Sequence, residues 1–288
     1  MIEIVLPTPD DVGVADSHGV HISWKSYGDG DSTVLFVPTW NLVDSRTLRH
    51  QVDGLRDLVR VITFDARGSG ESDHPDSGYG FAHHSDDALA VLQATGTRSA
   101  AVVTASRGAS TAILLAARRP DVVERLALVA PALDLEASSP DDAEPVDEFL
   151  LERDTCDGWE LFSAPSWRSD WPRFVTWFMA QVFTEPDSQD TIDELVENAR
   201  GSDVEMLIRQ EAEQDWSEAA AHLGSITCPV LIVQGGADET QDARVAYDLA
   251  ARLRRADVAW LEGLGHRPDI RRPDLVNPLL RRFLAGHG

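Results

Sequence analysis

Apolar residues recur along the first 130 positions in short β-branched or aliphatic runs bounded by Gly, Asp or Ser, and most are followed by a helical pattern. The early positions 11–15 and 20–27 read as two strands joined by the turn Asp16-Ser17-His18-Gly19. Further strands are predicted over 33–37, 59–64, 100–104 and 125–130. Helices are predicted over 45–58, over 81–94 with Ala88, Leu89, Val91 and Leu92 on one side, and directly after Ser106. The alternation returns near the end, with strands over 229–233 and 257–261 and helices over 242–254 and 273–285. Short apolar strands separated by helices imply an α/β fold, a mostly parallel sheet covered on both faces.

Between these blocks the rhythm changes. From 133 to 226 there is no comparable strand, and helical patterns run over 170–183, 190–199 and 204–221. The expected organisation is therefore a core of residues 1–132 and 227–288, with an all-helical cap of residues 133–226 inserted after the sixth strand. Such a cap would sit over the carboxyl ends of the strands, where open α/β sheets bind ligands. The acidic stretch 138–148, with Pro140 and Pro145, is expected to be a mobile hinge.

Composition narrows the partners. The chain has 288 residues and a formal net charge of −24, with Lys25 its single lysine. An acidic surface of this kind repels nucleic acid and anionic membranes, so neither is expected as a partner. Cys156 and Cys228 lie in unrelated contexts without CxxC spacing, which favours a reducing compartment over a disulfide framework. Residues 1–11 carry no basic leader, and no apolar stretch is long enough to span a bilayer. The expectation is a soluble cytoplasmic protein acting on a small molecule, with its oligomeric state left open.

Candidate chemistry centres on Ser106, in Thr104-Ala105-Ser106-Arg107-Gly108, where a strand pattern gives way to a helical one. A sharp strand-to-helix turn would lift this serine clear of the sheet as a nucleophile; alternatively the serine simply caps the helix. Gly108 supplies the small residue the turn needs two positions on, whereas Thr104 replaces the usual glycine two positions before. Asp238, in Gly235-Gly236-Ala237-Asp238, and His266, in Leu264-Gly265-His266-Arg267-Pro268, each follow a predicted strand. Nucleophile, acid and base thus stand in the order Ser, Asp, His, each at a strand's carboxyl end.

With these residues in place, the chain resembles the α/β-hydrolase fold family along nearly its whole length. The stretch Phe64-Asp65-Ala66-Arg67-Gly68-Ser69-Gly70-Glu71-Ser72-Asp73 is similar to that family's D-x-R-G-x-G-x-S-D loop, and residues 235–238 and 265–268 to its acid and histidine loops. The resemblance implies a serine hydrolase without cofactor, with Ser106, Asp238 and His266 catalytic and the backbone amides of Trp40 and Arg107 forming the oxyanion hole. It also implies a structural role for Asp65 and Arg67 as a pair that satisfies a tight loop. The family usually places His-Gly before the first oxyanion donor; here the equivalent is Pro38-Thr39. At Thr104, either the elbow opens or the hydroxyl bonds to nearby backbone.

Other polar residues are weaker candidates. His83 and His84 lack further metal ligands and are expected on the exposed side of a helix start. Asp134, after the sixth strand, is an alternative acid. Ser110, His50 and His222 are read as packing or surface residues. The aromatic residues of the 170–183 helix serve mainly the cap's own core, but Trp171, Phe174, Trp177 and Phe178 occupy more than one face and are expected to roof a pocket floored by Trp40 and Leu42.

The expected activity is hydrolysis of a carboxylic ester, lactone or thioester of a small, largely apolar substrate through an acyl-enzyme. A serine at the elbow argues against the haloalkane dehalogenase and epoxide hydrolase branches, which need a carboxylate nucleophile. Other readings are a small-molecule receptor or partner-binding module on the same fold, a carbon–carbon bond hydrolase, a cofactor-free haloperoxidase-like enzyme, or an aminopeptidase using Glu148 or Glu152.

Overall fold

A computed structural model describes residues 6–135, 148–152 and 156–286. Its strands are β1 (Asp11–Ser17), β2 (Val20–Tyr27), β3 (Thr33–Phe36), β4 (Arg60–Phe64), β5 (Ala100–Ala105), β6 (Val123–Val129), β7 (Val230–Gly235) and β8 (Ala256–Leu261). They form one sheet in the order β1-β2-β4-β3-β5-β6-β7-β8. The β1–β2 and β2–β4 pairs are antiparallel and every later pair is parallel. The turn between β1 and β2 places His18 and Gly19 at φ 55° and 86°, the left-handed conformation a two-residue hairpin needs.

Alternation along each strand sorts the core into two faces. Leu35, Ile62, Val102, Leu126 and Ile232 pack on one side with α2 (Phe81–Ala94), α3 (Gly108–Arg118) and α9 (Val245–Arg252). Their neighbours Val34, Val61, Val103, Ala127 and Leu231 face α1 (Arg49–Leu55) and α11 (Pro273–Leu284), which contribute Val52, Leu55, Val276, Leu280 and Phe283. All residues of β5 and β7 are buried, which explains why those runs are apolar apart from Thr104 and Gln234 near their ends.

Between β6 and β7 lie α4 (Ala164–Ser169), α5 (Trp171–Val182), α6 (Gln189–Ala199), α7 (Val204–Glu213) and α8 (Glu218–Ala221); the short α10 (Pro268–Arg271) follows β8. Helices α4 to α7 enclose a separate cluster containing Trp167, Trp171, Phe174, Met179, Leu195 and Leu207, which closes onto Trp40, Leu42 and Tyr79 of the sheet body. The flanks of the insertion behave differently. Leu133, Leu135, Ala219, Leu223 and Ile226 join the sheet-side cluster.

Two helices are shorter than their patterns. The predicted 204–221 helix is two helices, because Gln214 turns extended (ψ 117°) and the Asp215 carboxylate takes the Ser217 amide and hydroxyl at 2.9 and 2.7 Å. The predicted 242–254 helix begins only at Val245, since Asp242 is engaged in a turn that accepts the Arg244 amide at 2.9 Å. All but the last residue of the anticipated 138–148 hinge lies outside the described residues. Among the described residues, no helix is long and apolar enough to cross a membrane.

Candidate active site

Ser106 stands between the end of β5 and the start of α3 with φ 53°, a left-handed conformation that a non-glycine residue adopts only when its surroundings enforce it. Three bonds do so. The Ser106 amide donates to Val129 O at 2.9 Å, and Ser106 O accepts from the amides of Ala109 at 3.0 Å and Ala132 at 3.1 Å. The Thr104 hydroxyl donates to Val37 O at 2.9 Å, so the side chain that replaces the usual glycine also ties β5 to the end of β3.

That substitution makes Gly108 indispensable. A Cβ at 108 would overlap the Thr104 hydroxyl and come within 2.6 Å of Pro38 O. We expect Gly108→Ala to destabilise the fold by about 1–3 kcal/mol, measured by urea denaturation. Thr104→Ala in the same chain should recover part of the loss; a double variant no more stable than Gly108→Ala would contradict this steric account.

His266 is 4% exposed and lies in the loop after β8. Its Nε2 is 2.8 Å from Ser106 Oγ and its Nδ1 is 2.7 Å from Asp238 Oδ2. The carboxylate accepts from Nδ1–H, which leaves the Nε2 lone pair for the serine proton. Asp238 accepts more than that one bond: Gln234 Nε2 donates to Oδ2 at 3.1 Å, while the Thr240 amide and hydroxyl donate to Oδ1 at 2.9 and 2.7 Å. Burial alone would raise its pKa, but the bonds from His266 and Thr240 outweigh that and hold it below the usual carboxylate value. The histidine loop is itself anchored by the insertion, through His266 N–H to Val182 O at 3.1 Å and Gly265 N–H to Glu185 Oε1 at 2.8 Å. Sequence reasoning missed Gln234, Thr240 and Glu185; a hydroxyl two residues beyond the acid was the signal for one of them.

Trp40 and Arg107 both border the cavity above Ser106. Among the described residues, neither backbone amide is committed to another hydrogen bond. Asp134 is at the cavity wall and exposed, whereas the His266 ring is held by Asp238.

The cavity has a volume of about 860 Å³. Trp40, Leu42 and Phe178 line it as expected, but Trp171, Phe174 and Trp177 do not. Trp171 turns inward, donating Nε1–H to Ala199 O at 3.1 Å; Phe174 is fully buried between Trp167 and Trp171; and Trp177 packs edge-on against Trp159. The face of α5 toward the cavity is instead Phe178, Met179 and Val182, spaced i, i+1, i+4. Because α5 is apolar on most sides, its pattern alone does not rank these faces.

Two further expectations are corrected. Asp65 and Arg67 do not pair with each other: the Asp65 carboxylate accepts the Ser45 and Glu71 amides at 3.1 and 3.0 Å, while Arg67 forms a bidentate bond with buried Asp87 at 2.7 and 2.5 Å. His83 is exposed, but His84 is only 7% exposed, on the face of α2 that buries Phe81 and Ala88. Burial lowers its pKa from 6.5 to about 4. The unfolded chain therefore binds the proton first, so stability contributed above pH 6.5 is lost as pH falls toward 4. We expect this group to cost on the order of 3 kcal/mol over that window, and urea denaturation of His84→Gln to lack that part of the acid slope.

A family model described as alpha/beta hydrolase fold matches residues 33–266. The chain belongs to that family. Membership makes it a hydrolase-family enzyme. Relatives of this hydrolase include a Klebsiella pneumoniae protein bearing the name carbamate hydrolase, 27% identical over 240 residues that make up 80% of this chain and 83% of the relative. A pimeloyl-(acyl-carrier protein) methyl ester esterase of Neisseria meningitidis is 26% identical, covering 63% of this chain and 67% of its own. Among solved structures, an enol-lactonase from Burkholderia xenovorans superposes with TM-score 0.78 at 21% identity, covering 95% of this hydrolase and 100% of that chain. The last likeness is one of fold.

Proposed function

We propose that this hydrolase cleaves a carboxylic ester, lactone or thioester by a Ser106–His266–Asp238 triad. Ser106 Oγ attacks the acyl carbon as His266 Nε2 takes its proton; the carbonyl oxygen becomes an oxyanion facing the amides of Trp40 and Arg107. Collapse expels the alcohol or thiol, which receives the proton from His266. Water then adds to the acyl-enzyme by the same base, and the acid leaves as Ser106 is reprotonated. Asp238 holds the imidazole tautomer and balances the imidazolium. The observation that carries this reading is the unbroken 2.8 and 2.7 Å chain from Ser106 to Asp238 at a strained turn beneath the cavity.

Substrate class follows from the walls. Arg107 and Arg267, the arginines nearest the serine and histidine, are each already paired with a buried carboxylate, Glu211 and Asp269. Phe162, Phe178, Met179 and Trp216 make much of the remaining surface. We read this as a site for an uncharged, largely apolar small molecule, roofed by α4 to α7 acting as a cap, in a cytoplasmic enzyme. The test combines a fluorophosphonate probe with p-nitrophenyl esters of graded acyl length. Stoichiometric labelling mapped to Ser106, together with turnover, is the expected result. Absence of both, with small esters still raising the Tm, would replace this reading with a receptor on the same fold.

A further inference from the structure

The Pro38-Thr39-Trp40 loop lacks the glycine that lets such a loop expose its amide, so something else must hold it. The Arg107 side chain meets it directly. Its guanidinium carbon lies 4.1 Å from the centroid of the Trp40 ring and 5.0 Å from that of Trp216, and the residue is 6% exposed. Arg107 Nη1 donates to Glu211 on α7 and, at 3.2 Å, to Gln214 Oε1 at that helix's end. One residue before Glu211, Gln210 donates to Asn41 Oδ1 at 3.0 Å, and Asn41 in turn donates to Arg67 O. Positions 210, 211 and 214 share one helical face. That face of α7 therefore holds Trp40 through Arg107 and holds Asn41 directly.

We propose that the Arg107 side chain is a positioning residue: stacked on Trp40 and Trp216 and gripped by Glu211 and Gln214, it sets the backbone amides of residues 40 and 107 relative to Ser106. This rests on the hydrolytic reading above. Both oxyanion donors belong to residues whose side chains pack on each other, so moving one moves the other. The guanidinium is planar and can stack on a ring while donating in its own plane; an ammonium cannot do both. A site so built draws its oxyanion geometry from the helical insertion, in place of a glycine-lined loop.

The experiment compares wild type, Ser106→Ala, Arg107→Met, Arg107→Lys and Trp216→Leu, with active sites titrated in the proteins that keep Ser106, and Ser106→Ala normalised to folded protein by circular dichroism. A misplaced oxyanion donor costs less than a deleted one, which is worth about 100- to 1000-fold. We expect kcat to fall about 30-fold in Arg107→Met, nearly as far in Arg107→Lys, and about 5-fold in Trp216→Leu, with KM within about 3-fold throughout. Affinity for a boronic acid, which forms a tetrahedral anion on Ser106, should fall in step with kcat/KM, while the Kd of a neutral product alcohol stays unchanged. If either Arg107 variant fails to fold, Trp216→Leu, which leaves the ion pair intact, carries the same test. Titrated kcat within about 2-fold of wild type in the folded variants, or a change confined to KM, would overturn the positioning role. A wild type no faster than Ser106→Ala would instead overturn the hydrolytic reading on which it stands.

Discussion

Ser106→Ala is expected to lower kcat for a p-nitrophenyl ester by about 10⁴-fold or more, with KM little changed. The size follows from what is removed. Without Oγ there is no acyl-enzyme, and His266 can only direct water at an ester bound for attack by a serine. The remaining rate would come from the Trp40 and Arg107 amides and from binding alone. The fold should survive, because what holds the turn is the backbone: the amide bond to Val129 and the two bonds accepted by Ser106 O do not involve the side chain. Relief of a left-handed non-glycine residue is not expected either, since alanine meets the same constraint as serine at φ 53°. Stopped-flow or steady-state assays on purified wild type and variant decide it; a loss under about 10-fold would remove Ser106 from the chemistry.

Asp238→Asn comes second, with an expected loss of about 10³- to 10⁴-fold in kcat near neutral pH. The amide can offer an N–H toward Nδ1, which then becomes the acceptor and places the ring proton on Nε2, facing Ser106 with no lone pair to use. The two Thr240 donors bias that choice, against the single Gln234 donor to Oδ2. Thr240 gives Oδ1 two hydrogen bonds, so the Asn oxygen is drawn to that side and the NH₂ toward His266. The wild-type carboxylate sits below its ordinary pKa, so it remains ionised down to acid pH and its ionic stabilisation is lost only as pH falls through that lowered value. The acid limb of a wild-type pH–rate profile should therefore not be Asp238's. Were the loss in Asp238→Asn under about 10-fold, another acid, with Asp134 the first to test, would have to orient the histidine.

What the sequence carried and what it did not divide along a physical line. Short apolar runs and the position of a polar residue just past a strand's end are local facts, and they mark out the strands of the sheet and single out Ser106, Asp238 and His266. Orientation of an all-round apolar helix is a tertiary fact. Of the four aromatic residues on α5, only Phe178 reaches the cavity: Phe174 packs inward, and the smaller side chains of Met179 and Val182 complete the roof's inner surface. The same holds for His84, whose burial depends on α2 being rotated to bury Phe81, and for Arg67, whose partner Asp87 lies 20 residues away on that helix. The break after α7 was written locally, in Asp215 and Ser217, and was overrun by a helical pattern that continues on both sides.

The bond from His266 N–H to Val182 O has a consequence for how a molecule reaches the serine. The last turn of α5 and the loop bearing the imidazole form one mechanical piece, further joined where Glu185 takes the Gly265 amide. Swinging α5 outward as a door would unhook the base from its place above Ser106. Breathing of the roof on the α5 side would thus switch off the proton relay.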